Sequence, residues 1–310
     1  MANIPDIKRR LKGIKDTRQI TKAMELISIS KMRKALARFE NNLTYFKKIR
    51  HTIKDIITHS GEDATHPYLT RREGKRTAYI VIAADKGLAG GYNKNVCETA
   101  LKHMQTRSKS FIITVGHMAR EFFEKKGYTV DIDFLHAIQN PRLHDARVLA
   151  AHILESYDAE LMDEVLLVFT RLKSTMSQKP VIIKLLPVEL EDLADIELET
   201  HYTQEILYDM SPRKVLDMLV PQYIVGLIYT ALVQAAASEH CMRMISMTGA
   251  TKNADAMTEE LMLEYNRARQ SQITGSMIEI ITAANTGFSA SAFHGGGDRE
   301  EDYIIRYPSE

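Results

Sequence analysis

Asp85-Lys86-Gly87-Leu88-Ala89-Gly90-Gly91 is the segment whose residue types come nearest to a ligand-cradling loop. It follows a β-rich run, RTAYIVIAA at 76–84, and a loop past the first strand of an open α/β sheet is where such sheets bind ligands. Its glycine spacing matches neither the dinucleotide fingerprint nor the phosphate loop, and no Gly-Lys-Ser/Thr follows. The spacing therefore reads as a tight structural turn that caps the next helix. The eleven histidines, His51, His59, His103, His117, His144 and His152 among them, form no His-x3-His or His-Glu-x-x-His pair, so no metal site is expected. Cys97 and Cys241 lack Cys-x-x-Cys spacing and read as structural thiols in a reducing compartment. No Gly-x-Ser-x-Gly turn offers a nucleophile. The residues point to no catalytic chemistry, and no cofactor is expected.

What is concentrated is charge. Residues 1–60 hold 15 Lys+Arg against 5 Asp+Glu, a balance of +10, while the other 250 hold 26 against 35, a balance of −9. The basic residues include Lys8, Arg9, Arg10, Lys12, Lys15, Arg18, Lys22, Lys31, Arg33, Lys34 and Arg38. Such an arm is a solvated face, a nucleic-acid-binding helix or a contact for an acidic protein surface. It has no aromatic interleaving before Phe39.

The elements that carry these residues are unusual in length. Ile4, Ile7, Leu11, Ile14, then Ile20, Met24, Ile27, then Leu36, Phe39, Leu43, Phe46, Ile53 and Ile57 step mostly by three and four. That period predicts one helix with a buried stripe over about 50 residues, roughly 80 Å long. A compact domain is not that wide, so the helix is expected to project. A second long helix is expected from Ser211 to about Ala284, with Ser211 as N-cap, a kink at Pro221, and the stripe Leu216, Leu219, Tyr223, Leu227, Ala231, Leu232, Ala235, Met242, Ile245, Met257, Leu261, Tyr265 and Ile280. Two such helices require each other's apolar stripes, and antiparallel pairing into a coiled coil with irregular heptads satisfies both.

Between them strands and helices alternate: RTAYIVIAA, a helix near 95–106, FIITVG at 111–116, a helix at 117–126, YTVDIDFL, a helix near 145–157, EVLLVFTRL at 164–172 and VIIKLLPV at 181–188. The expected fold is α/β: a long antiparallel two-helix coiled coil with an inserted, Rossmann-like α/β domain whose sheet is largely parallel. The expected parts are 1–60 (first helix), 75–190 (α/β domain), 211–284 (second helix) and 285–310, a flexible extension containing Gly295–Gly297 and DYIIRY. With 45% hydrophobic and 26% charged residues, a mainly disordered chain is excluded. No run of 18 apolar residues and no apolar signal core near MANIPDIKRRLKGIKD suggest a membrane span or secretion.

Both chain ends carry longer patterns. IKRRLKGIKDTRQITKAMELISISKMRKA at 7–35 resembles the N-terminal signature of the gamma subunit of F-type ATP synthases, and SEHCMRMISMTGATKNADAMTEELMLEYNRARQSQIT at 238–274 resembles its C-terminal signature. DKGLAGGYN and TMSQKP at 175–180 fit the same family, and the element order agrees over about 3–284. The resemblance implies a non-catalytic central-stalk rotor that couples proton flow through the membrane c-ring to conformational cycling of the catalytic beta subunits. It implies alpha and beta subunits, the epsilon subunit and the c-ring as partners, with no nucleic acid and no small-molecule substrate of its own. The setting it implies is peripheral, on the cytoplasmic face of the bacterial inner membrane.

The basic arm then faces acidic loops on the beta subunits. Residue by residue, the resemblance implies shaft-to-hexamer contacts at Lys22 and Met24 in TKAME, and at Arg243, Gln270 and Thr274, with Arg243→Ala or Gln270→Leu weakening coupling and sparing the fold. The chain departs from the family at Ser276, where a Glu is usual, at Ala283, where a Gly is usual, and in its tail, though it keeps Glu279. The competing reading is a coiled-coil protein that binds nucleic acid through its basic arm, with a small-molecule α/β enzyme behind it.

Overall fold

The computed structural model describes residues 3–59, 66–72, 74, 76–107, 109–134, 137–175, 177–188 and 211–291. The chain divides into two compact units, Gln19–Thr251 and, separately, Met1–Arg18 with Lys252–Glu310.

The first helix, α1, runs Ile4–His59 and the last, α5, runs Pro212–Ser291, through Pro221. The carbonyl of Ser211 accepts the Val215 N–H at 3.3 Å and so opens the first turn of α5. Residues 285–291, expected in the extension, continue this helix, and 292–310 lie outside the described residues.

The buried positions of α1 in the Gln19–Thr251 unit are Thr21, Glu25, Ser28, Met32 and Ala35, then Ile49, Ile53 and Ile56. These steps of four and three form a heptad seam. The expected stripe slips off this seam: Ile20 and Ile27 are 61% and 57% exposed. The middle of the seam is polar and small, with the Thr21 and Thr251 hydroxyls hydrogen-bonded at 2.9 Å, and the apolar isoleucines lie on the outer face. The same slip occurs on α5, where Ile245, Met257 and Ile280 are exposed while Met247 and Ala254, outside the expected stripe, are buried; Leu261 is buried as expected.

In the other unit, Ile7 is buried and Ile4, Leu11 and Ile14 are half-buried. There the Lys8 ammonium lies 5.6 Å from the centre of the Tyr265 ring, and the Arg18 guanidinium is ion-paired with Asp255. The pairing is antiparallel, and this register runs out at about residue 269 of α5, opposite the start of α1.

The α/β domain lies within Gln19–Thr251. Strands β1 (Arg76–Ile82), β2 (Lys109–Val115), β3 (Ile132–Phe134), β4 (Glu164–Ser174) and β5 (Ser177–Leu186) form one sheet in the order β3-β2-β1-β4-β5. The first four are mutually parallel, and β5 returns antiparallel beside β4. Helices α2 (Tyr92–Met104), α3 (His117–Lys125) and α4 (Leu143–Asp158) connect them.

Alternation along each strand divides the core. Tyr79, Val81, Ile112 and Val168 pack with Val96, Cys97 and Ala100 of α2 and Phe123 of α3. Ala78, Ile80, Ile82 and Leu167 face a second core with Leu149 and Ile153 of α4, Ile53 and Ile56 of α1, and Leu216 to Ala237 of α5. A sheet covered on both faces requires near-continuous apolar strands, which is why IVIAA and FIITV read as they do.

The same burial explains the composition of α5. An 18-residue window of it is apolar enough, by length and composition, to cross a membrane, although it holds no unbroken apolar run of that length. Half of that window is buried within the protein, as a core helix requires. Among the expected strands only YTVDIDFL shrinks markedly, to three residues at the edge of the sheet.

Candidate functional site

The turn Asp85–Gly91 leaves β1 at the sheet's topological switch point, where the crossover to β2 and the crossover to β4 diverge. It is built by local hydrogen bonds. The Ala84 N–H donates to Asn93 Oδ1 at 2.9 Å, and Asp85 Oδ1 accepts the His117 N–H at 3.2 Å. The Met118 N–H donates to the Ala84 carbonyl at 3.0 Å. Gly116 comes so close that a Cβ there would sit 2.1 Å from the Ala83 carbonyl oxygen, and its φ of +94° suits only glycine.

The crevice that such a turn commonly offers to a ligand is occupied here by α5. Arg243 is 9% exposed and donates through Nη2 to the carbonyls of Lys86 at 3.2 Å and Gly87 at 3.0 Å. Its Nη1 pairs with Glu239 Oε1 at 2.6 Å, one turn back on the same helix face. Nη1 also approaches His240 Nδ1 at 3.4 Å. Tyr92 Oη donates to the Ala235 carbonyl at 3.1 Å. Gly90, at φ +56°, lies against Ser246, whose Oγ would be 2.9 Å from a Cβ.

The opposite flank of the same turns meets the β4–β5 hairpin. Ser238 Oγ donates to the Thr170 carbonyl at 2.9 Å, and Gln178 Nε2 donates to Cys241 Sγ at 3.0 Å. Residues 235–246 of α5 are therefore gripped from two sides by the α/β domain.

Burial sets the electrostatics of this junction. Desolvation pushes the His240 imidazolium down to about 4, helped by the charges of Arg243 and then Lys31, so His240 is neutral at pH 7. Burial raises the Glu239 carboxyl more than Arg243 lowers it. Burial also raises the Cys241 thiol and takes the Cys97 thiol to about 12, so neither is a ready thiolate. Among the described residues no group of three or more His, Cys, Asp or Glu is placed to hold a metal ion.

The residues singled out from the sequence fall into separate places. Lys22 is half-exposed and lies 3.2 Å from the buried Glu25, while Met24 is partly buried on α1. Gln270 and Thr274 are exposed one turn apart on one face of α5, in the other unit. Arg243 differs from all four: its guanidinium is buried and bonded to a turn of the α/β domain. Of its partners, Lys86 and Gly87 lie in the Asp85–Gly91 turn that the sequence marks, while Glu239 was not singled out, although its i, i+4 spacing to Arg243 was a legible signal.

Around Gln270 the helix is exposed on every side. Residues 269–284 are exposed apart from Gly275, and Ile273, Met277, Ile278, Ile280 and Ile281 are 48–68% exposed. Exposed apolar residues so dense mark an interaction surface.

These features define the class: a coiled-coil and α/β protein whose terminal helices pair across the whole length of the sequence, with an apolar helix end fit for a partner. A protein-family model described as ATP synthase matches residues 3–286. The ATP synthase gamma chain of Alkaliphilus metalliredigens is 43% identical over 280 residues, covering 90% of this chain and 96% of that one. The gamma chain of Ruminiclostridium cellulolyticum is 42% identical over 288 residues, covering 91% and 98%. A chain of the Euglena gracilis mitochondrial ATP synthase, in its OSCP/F1/c-ring assembly, shares the fold with a TM-score of 0.64 at 20% identity, over 96% of this chain and 98% of that one. The chain belongs to the ATP synthase gamma-chain family. The nucleic-acid reading finds no support among these relatives.

Proposed function

We propose that this chain is the central-stalk rotor subunit of an F-type ATP synthase, converting ion flow through a membrane c-ring into conformational cycling of the catalytic beta subunits. The observation that carries the reading beyond family membership is the end of α5, where residues past about 269 are exposed all round, apart from Gly275, and present isoleucine and methionine along one broad face. Such a helix needs a sleeve, and a ring of alternating alpha and beta subunits supplies one.

The chain holds no catalytic residue in this reading. It acts because an asymmetric shaft touches three otherwise identical sites differently and so biases the open–closed equilibrium of each. Gln270 and Thr274 contact the sleeve from the α5 end, and Lys22 and Met24 face acidic loops of the beta subunits from α1. Arg243 reaches that contact indirectly, through the turn at Lys86 and Gly87 that it holds. The epsilon subunit and the c-ring bind the α/β domain and the base of the coiled coil. The complex then sits on the cytoplasmic face of a bacterial inner membrane.

The test is assembly. The full chain, mixed with alpha and beta subunits, should elute as one complex in which alpha and beta are each in about threefold excess, and the complex should hydrolyse ATP. A folded chain that remains separate from the alpha and beta subunits, or that elutes with nucleic acid, would refute the reading.

A further inference from the structure

We infer that the α/β domain holds the rotor helix by the edge at which related sheets hold ligands, with Arg243 as the pin joining the Asp85–Gly91 turn to α5. The inference rests on the rotor reading for its purpose, but not for its geometry. The turn sits at the switch point of the sheet, and the groups presented to it are a guanidinium and a carboxylate from the chain's own helix.

The geometry is that of a recognised ligand. Arg243 is planar, and its two terminal nitrogens are divided between Glu239 on one side and two consecutive carbonyls, Lys86 and Gly87, on the other. Lysine, a single point donor, cannot serve both sides at once. Two further observations fix the turn on the same stretch of helix. Tyr92, at the start of α2, hydrogen-bonds the Ala235 carbonyl, and Gly90 packs against Ser246, whose Oγ lies 2.9 Å from where a Cβ at 90 would stand. The hairpin contacts of Ser238 and Cys241 prevent the helix from moving away on the opposite flank.

Force applied to the α/β domain therefore reaches α5 through the apolar core at Leu216–Ala237 and, beyond it, between residues 235 and 246, through hydrogen bonds to a charged group. A loosened pin leaves that further stretch of the helix less firmly carried by the domain. Arg243 is in this sense a positioning residue, acting on the hexamer only through the helix.

Hydrogen exchange on the full chain tests the pin directly. In Arg243→Ala and in Arg243→Lys, the amides of Tyr92, Asn95 and His117, which donate to Ala89, Gly91 and Asp85 of the turn, should exchange roughly 10–100-fold faster than in the unaltered chain, as a turn released from the helix implies. Exchange in the β1 and β4 strands should stay as it was. Unchanged exchange at the amides of Tyr92, Asn95 and His117 in both variants would overturn the inference. The lysine variant keeps a charge beside Glu239, so it remains informative if the alanine variant folds poorly.

The second arm asks what the pin does. The turn can be tied to the helix by a disulfide in Gly90→Cys/Ser246→Cys, since a Cβ at 90 already lies within disulfide reach of position 246. In the assembled complex carrying Arg243→Ala, the number of ions pumped per ATP hydrolysed should fall severalfold. Forming the disulfide should restore it, and reducing the same protein should abolish the rescue. A ratio that the disulfide does not restore would place Arg243 on the hexamer instead and overturn the inference. Failure of the unaltered chain to join alpha and beta subunits would count against the rotor reading alone, because the exchange measurement still decides the pin.

Discussion

His240 gives the junction a dependence on pH whose sign and size follow from its surroundings. It is 5% exposed on α5, with the Arg243 guanidinium 3.4 Å from its Nδ1 and the charge of Lys31, on α1, bearing on the ring. All three influences oppose protonation, and together they lower the folded-state value from 6.5 to about 4. The unfolded chain therefore binds a proton between those values that the folded chain refuses. Stability is fully present above about 6.5 and is lost as the pH falls toward 4. At 1.36 kcal/mol per unit, the loss between pH 7 and pH 4.5 is about 2 kcal/mol. Urea denaturation followed by circular dichroism at those two values measures it, with His240→Gln as the reference because glutamine does not titrate. The quantity that matters is how the difference between the two proteins changes with pH, since the other histidines and the carboxylates contribute equally to both. The unaltered chain should lose about 2 kcal/mol relative to the variant on acidification. A difference that stays constant over this range would refute the burial argument and place His240 in contact with water.

Three further outcomes are expected. Gly116→Ala places a methyl 2.1 Å from the Ala83 carbonyl at a backbone angle disfavoured for alanine, so the melting temperature should fall by an amount corresponding to about 3 kcal/mol or more. Two helical glycines of α5 should respond with opposite signs: Gly226→Ala drives a Cβ to 2.2 Å from the Phe46 ring and should cost about 1–3 kcal/mol, whereas Gly249→Ala meets nothing within 4 Å and should gain about 0.5–1 kcal/mol, both read from thermal melts of the isolated chain. Gln270→Ala and Thr274→Ala, on exposed turns, should leave that melt within about 0.5 kcal/mol of the original. If the hexamer grips that face, each should lower ATP synthesis in reconstituted vesicles severalfold; unchanged synthesis in both would remove these two residues from the contact.

The layout of the fold was legible because its determinants are local. The run IVIAA at 80–84 and the pattern of FIITVG announce strands buried on both faces, and the absence of helix breakers between Gly13 and Gly61 announces α1. The coiled-coil seam was less legible. Hydropathy ranks Ile20 and Ile27 above Thr21 and Ser28, yet the latter pair is buried. The seam there is chosen by fit and by the hydroxyl pair Thr21–Thr251, which depends on a partner 230 residues away. Ile20 and Ile27 lie instead on the exposed outer face of α1. Arg243 was legible by resemblance and the Asp85–Gly91 turn by its glycines, but the bond between them was not, because the backbone carbonyls of Lys86 and Gly87 carry no side-chain signature.

The polar middle of that seam also bears on how the chain is made. Thr21 leaves the ribosome 230 residues before the Thr251 it will bind. At about 5–20 residues per second, that is a wait of roughly 10–50 seconds. During it, α1 exists as an orphan half of a coiled coil. A seam of leucine and isoleucine throughout would make that orphan adhesive, able to pair with another nascent copy of itself. Threonine, glutamate and serine at 21, 25 and 28 instead keep the waiting strip soluble, and the basic side chains along it make two copies repel. The composition that obscured the seam from inspection of the sequence thus protects newborn chains from premature pairing.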